Sequence, residues 1–185
     1  MGTIAGPKVG LVCATSRHGS TSMKLLRCYE QILHQRHGVF SEVLDLAQLP
    51  VDFLTAVLYQ PTKASHPEWQ QWQEKVDSLD VLVFVIPEYN GSFPGILKAF
   101  VDALAYPRSL YNKKTAMMGL SDGTQGAALA MAHFADVLNY AGSVTLPLRP
   151  RLIQINRYME GDQLVHEPYL RLLEQHADSL MALAR

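Results

Sequence analysis

Along the chain, short uninterrupted apolar runs alternate with stretches in which apolar residues recur every three or four positions. Lys8 to Ala14 (KVGLVCA) is such a run, with the compactness of a strand buried on both faces of a sheet. It gives way to the polar loop TSRHGSTS. From Thr21 to about Gln35, Leu25, Cys28, Tyr29 and Ile32 then follow helical spacing. Gly38 punctuates that helix and Phe40 to Leu46 reads as a second strand, which completes a βαβ unit. The stretch from Ala47 to Pro67 holds three prolines and little periodicity, so it predicts a long excursion with one helical turn near Thr55 to Leu58.

Pro67 and Glu68 suit the first turn of a helix, and Leu79 to Ile86 is a third strand. A helix begins at Pro94 with the stripe Leu97, Phe100, Val101 and Leu104, followed by a fourth strand over Lys114 to Leu120. The next helix, about Gly126 to Tyr140, is apolar nearly all round, which predicts burial in the core or against another subunit. Val144 to Leu148 with Leu152 to Ile155 supplies a fifth strand interrupted by Pro147 and Pro150. Tyr169, Leu172, Leu173 and Leu180 mark a closing helix. Strands alternating with helices imply a parallel, doubly wound sheet in one domain over residues 1–185, with ligands expected at the carboxyl ends of its strands.

Composition narrows the function. A formal net charge of -1, without a basic cluster, argues against nucleic acid as a partner. No run of ~18 apolar residues occurs and the N-terminus has no basic segment leading into an apolar one, so the expectation is a cytoplasmic protein without membrane contact. Cys13 and Cys28 have neither zinc-ligand nor redox-pair spacing and read as buried, reduced thiols; no metal site is expected.

The loops after the first, third and fourth strands lie side by side if the strand order reverses beside the first strand. The first carries Thr15, Ser16, Arg17, His18, Ser20 and Thr21 ahead of a helix, a set of donors suited to a phosphate dianion. An N-cap with solvated neighbours accounts for it as well. Gly19 is its only glycine, so neither the dinucleotide G-x-G-x-x-G nor a Walker loop is present, and a single phosphate, as in FMN, is easier to place. In the second loop, PEYNGSFPG, Asn90-Gly91 favours a positive-φ turn that lets backbone approach a planar ring, and Tyr89 and Phe93 offer aromatic faces.

The segment from Pro87 through Lys98 and on to Asp102 resembles the NADPH-dependent FMN reductase family, and Thr15 to Ser20 is similar to that family's phosphate loop. The resemblance implies a flavodoxin-like three-layer α/β/α sandwich with a five-stranded parallel sheet in the order 2-1-3-4-5. It implies FMN as cofactor, NADPH or NADH as donor, a small acceptor (quinone, flavin, azo compound or metal oxyanion), and a homodimer or homotetramer. By position, Thr15, Arg17, Ser20, Thr21 and Ser22 would hold the phosphate. Pro87, Glu88, Tyr89, Asn90 and Gly91 would flank the ring system, joined by Ser121, Asp122 and Gly123 of the third loop. The family more often has glycine at Ala14, serine at Thr15 and asparagine at Ser22.

Flavin chemistry needs no strong protein acid or base, so no catalytic side chain is assigned. The rival readings are a flavodoxin-type electron carrier, against which the near-neutral charge argues, and a flavin-binding protein without turnover. His133 reads as a core or interface residue, His34 and His37 as helix-end charges, and Trp69 and Trp72 as packing.

Overall fold

The structure is a computed structural model that describes residues 6–185. Its main sheet comprises β1 (Val9–Cys13), β2 (Ser41–Asp45), β3 (Val81–Pro87), β4 (Lys114–Leu120) and an edge position filled in two pieces, β5 (Val144–Thr145) and β6 (Arg151–Leu152). The order is β2-β1-β3-β4-β5, with β6 also on β4 and every pair parallel. This is the expected flavodoxin-like arrangement. The edge strand breaks between its two pieces at Pro147 and Pro150, which have no N–H to give a ladder.

Alternate strand residues feed two cores. Val12, Leu82, Phe84, Ile86 and Met117 face α2 (Pro67–Ser78), α3 (Gly95–Ala103) and α4 (Ala128–Tyr140). Leu11, Cys13, Val83, Val85 and Met118 face α1 (Thr21–His37) and α5 (Glu167–Ala184). Helices on both faces explain why the central strands are apolar throughout and not alternating.

Several expectations need adjustment. The excursion holds a wide helical turn at Phe53–Val57 between two short 3-10 turns, Leu46–Gln48 and Pro61–Ser65, and Phe53 and Val57 are buried. A hairpin of β7 (Met159–Glu160) and β8 (Gln163–Leu164) was not anticipated; two-residue strands leave no periodicity to read. Trp69 packs on Phe53 and Phe100, with centroids at 5.3 and 6.2 Å, in keeping with the packing role. Cys28 is only partly buried, its thiol donating to the Asp162 carbonyl. Ala130 and Phe134 of α4 are core, whereas Leu129 and Tyr140 are exposed. Phe93 is half-buried and packs edge-on against Phe134 at 5.3 Å. Of the two readings of His133, core is excluded: it is exposed in the single chain and bonded to the Ser92 hydroxyl at 3.0 Å. Among the described residues no helix is long and apolar enough to cross a membrane.

One buried titratable group joins the two helices of the second core. His176 on α5 shares a 2.7 Å hydrogen bond with the Tyr29 hydroxyl of α1, and its Nε2 is buried without a partner. Burial lowers its pKa from 6.5 to about 4. Between those values the unfolded chain takes up a proton that the folded protein refuses, so stability falls as pH drops through this window. His176→Gln keeps a partner for Tyr29 and removes the titration. Urea unfolding from pH 7 to pH 4 should show wild type losing about 3 kcal/mol more than the variant; parallel losses would contradict it.

Candidate active site

β1, β3 and β4 end together, and the three loops that leave them are tied to one another. The Ala14 N–H still donates to the Val85 carbonyl at 3.1 Å, so the first loop departs along β3. Thr15 is fully buried; its hydroxyl accepts the Arg17 N–H and shares a 2.6 Å hydrogen bond with the Tyr89 hydroxyl of the second loop. Ser20 is the N-cap of α1 and accepts the Met23 N–H at 3.2 Å. The first turn of α1 contains no acidic residue, so nothing on the helix itself offsets the positive end of its dipole. The N–H groups of Thr21 and Ser22 precede the intrahelical ladder and are available to an anion.

In the second loop Asn90 and Gly91 have φ of 51° and 72°, and Tyr89 and Ser92 exchange two backbone hydrogen bonds of 2.8 and 3.0 Å. Two successive positive φ values define the tight turn that the Asn-Gly pair predicts. The Glu88 N–H extends the ladder to Leu120, and its carboxylate accepts the Ala127 N–H at 3.2 Å ahead of α4. The guanidinium of Arg17 lies over the Tyr89 ring, 5.0 Å from its centroid. In the third loop the Ser121 hydroxyl accepts the Gly126 N–H and donates to the Gly123 carbonyl. Gly119 permits this closure, because a Cβ there would stand 2.6 Å from the Gly126 carbonyl oxygen.

Two adjoining hollows result. One, of about 390 Å³, is lined by residues 17–22, by Pro87, Glu88 and Tyr89, and by Ser121, Asp122, Ile155 and Asn156. The other, of about 530 Å³, shares Glu88, Ser121 and Asp122 with it and continues along Asn90, Gly91 and Gly123 to Gln125. Arg17 brings a positive charge to the first hollow, and Asp122 lines both. Of the residues that the family resemblance assigned to the cofactor, only Thr15 stays outside both, its hydroxyl spent on holding the first two loops together; Ser16 and Phe93, also singled out in these loops, line neither hollow. Ile155 and Asn156 were missed. They follow a broken edge strand and belong to no motif that would have singled them out.

Cys13 ends β1 ahead of the first loop, with its sulfur 3.8 Å from the Ser20 hydroxyl. Burial pushes its thiol up to about 11, so it stays protonated and serves as packing, not as a nucleophile.

The donors at the α1 end suit one phosphate monoester, and the open backbone turn at the other end suits a planar group. The sequence pattern of the NADPH-dependent FMN reductases matches residues 7–150, which include all three of these loops. The chain belongs to that family. It is 28% identical over 131 residues to an NAD(P)H:quinone oxidoreductase of Solanum tuberosum, covering 70% of this chain and 66% of that protein. It is 27% identical over 125 residues to an NAD(P)H-dependent FMN reductase of Pseudomonas aeruginosa, covering 64% and 66%. The chain thus spans just under two thirds of the length of these curated relatives. Among solved structures, its fold is similar to that of the NAD(P)H:acceptor oxidoreductase FerB of Paracoccus denitrificans, with a TM-score of 0.77, 22% identity, and coverage of 96% and 97%. An FMN-dependent NADH-azoreductase of Bacillus anthracis in complex with FMN gives a TM-score of 0.64, at 13% identity and coverage of 96% and 100%.

Arg17→Ala tests the phosphate end of this family member. It should weaken FMN by about 1.5 to 3 kcal/mol, the range for a hydrogen bond to a charged group, while leaving riboflavin affinity nearly unchanged in fluorescence titrations. Equal losses for both would assign Arg17 to stacking on Tyr89.

Proposed function

We propose that the chain is an FMN-containing oxidoreductase that takes electrons from NADPH or NADH and passes them to a small acceptor such as a quinone, free flavin, azo compound or metal oxyanion. The observation that carries this reading is the pair of adjoining hollows along the strand ends, which together form an open trough. The first is lined by donors suited to a phosphate and the second by the Asn90–Gly91 turn and the third loop.

Arg17, Ser20, Thr21 and Ser22, with the first-turn N–H groups of α1, hold the phosphate. Pro87, Glu88, Tyr89, Asn90, Gly91, Ser121, Asp122 and Gly123 border the ring system, and Thr15 acts through Tyr89 by positioning it. When bound, FMN supplies hydride and electron transfer that no side chain here can perform. The protein's part is to orient and shield. The Asn90–Gly91 turn brings backbone close, and Glu88 ties the ring-side loop to α4. The trough is open on one side, so donor and acceptor use the same space in turn.

A homo-oligomer accompanies this reading. A mainly apolar groove of about 540 Å³ lies between α3 and α4, lined by Val101, Leu104, Leu110, Val137 and the stacked Tyr106 and Tyr140. Both tyrosine rings are exposed, at 72% and 82%, an unusual apolar surface for a protein that works alone. Two free cysteines accord with a reducing, cytoplasmic setting, and the chain acts as one domain over residues 1–185.

Stoichiometric NADPH or NADH should bleach the FMN-loaded protein anaerobically, and a quinone should restore the colour. With both substrates varied, parallel double-reciprocal lines should follow from sequential use of one trough. Failure of both nicotinamides to bleach the protein within minutes would remove the reductase assignment. Light scattering on the same preparation should read at least a dimer, and a monomer at all concentrations would remove the oligomer.

A further inference from the structure

We propose that Asn156 is an additional ligand for the cofactor phosphate, brought to the site from the C-terminal part of the chain. The inference rests on the FMN reading above and extends it to a segment outside the 7–150 family match.

The position of Asn156 is built by the backbone. The Leu152 carbonyl accepts the Ser121 N–H at 3.1 Å, the Gln154 N–H donates to the Gly123 carbonyl at 3.0 Å, and the Ile155 N–H donates to the Ser121 carbonyl at 3.1 Å. Gln154 takes φ 48°, which redirects the chain into the short 3-10 turn Ile155–Tyr158. Ile155, 2% exposed, is anchored in the second core. Its neighbour Asn156 is thereby held on the wall of the hollow that also contains Arg17, Ser20, Thr21 and Ser22. The segment is tied down again farther along. Lys24 on α1 donates to the Gly161 carbonyl at 3.0 Å and pairs with Asp162 at 3.0 Å.

The chemistry of the amide points the same way. The Thr21 hydroxyl donates to Asn156 Oδ1 at 2.9 Å, and Nδ2 has no protein partner among the described residues. Turning the amide over would let Nδ2 donate to Thr21 and free the Thr21 hydroxyl to donate onward. In both arrangements the pair keeps a donor for an anion at the end of the hollow where α1 begins. Asn156 thus adds a donor to the wall of the hollow that Arg17 also lines, and couples occupation of the phosphate site to the strap that fixes the third loop.

The test compares FMN with riboflavin, two probes that differ by the phosphate, in fluorescence titrations of the full chain. Asn156→Ala should weaken FMN about tenfold or more, the effect of one hydrogen bond to a charged group, and riboflavin less than about twofold. Asn156→Asp still accepts from Thr21 and keeps the strap in place, but sets a negative charge against the phosphate. It should weaken FMN more than the alanine variant does, with a loss that shrinks as salt is raised. Asn156 is exposed, so both variants should fold, which thermal unfolding checks. Equal losses for FMN and riboflavin, or an aspartate variant that binds FMN as wild type does, would overturn the assignment while leaving the cofactor reading intact. Wild type that binds neither flavin would remove the cofactor reading itself, and this inference with it.

Discussion

The register of three parallel strands is the constraint on which the site depends. Cys13 pairs with Val85, and Pro87 two residues on pairs with Leu120, so β1, β3 and β4 release their loops at one level of one sheet edge. A one-residue slip would exchange the two core faces, sending Leu11 and Val83 toward the α3–α4 side and Val12 and Phe84 toward α1 and α5. Both faces are fully covered, so such a slip has a prohibitive packing cost. Core burial, with no participation of the site itself, thus places the loops of residues 15–22, 87–93 and 121–125 side by side.

Within that frame a small set of polar contacts turns three loops into one surface. Thr15 to Tyr89 joins the first loop to the second, and Glu88 to Ala127 joins the second to α4. Ser121 to Gly126 folds the third on itself, and residues 152–155 hold it from the far side. These contacts are mostly to backbone groups that a loop at a sheet edge would otherwise leave unpaired. They also divide the labour among neighbouring residues. Thr15 is committed to shaping the loop, Ser20 accepts at the cap of α1 while keeping its own proton, and Thr21 donates to Asn156, whereas the Arg17 guanidinium and the N–H groups of Thr21 and Ser22 have no hydrogen-bond partner among the described residues. A loop rich in hydroxyls can therefore cap a helix and still present donors to an anion, so the two readings of its sequence are compatible.

The fold was legible because buried parallel strands and amphipathic helices write their periods plainly, as in Val81–Pro87 and in the Leu97, Phe100 stripe. The Asn90–Gly91 turn was legible because its positive φ restricts residue choice. What escaped was set by tertiary contact. Phe93 lies one residue beyond the turn, and nothing local says that its ring will pack edge-on against Phe134. His133 is flanked by apolar residues in sequence, yet the helix turns it outward to Ser92. Thr15 looks like its neighbours, and only the fold reveals that Tyr89 occupies its hydroxyl. Asn156 owes its place to a backbone turn at Gln154 and to a hairpin too short to leave a pattern.

We infer that the three strand-end loops, and not the more apolar α3–α4 groove, form the flavin site. An FMN titration followed by amide proton–nitrogen correlation spectra of the labelled protein separates the two. Shifts should concentrate at residues 16–22, 88–92, 121–125 and 154–156, with Val101, Tyr106, Val137 and Tyr140 unmoved. Shifts centred on the α3–α4 groove, with the Asn90–Gly91 turn and the start of α1 unchanged, would contradict it.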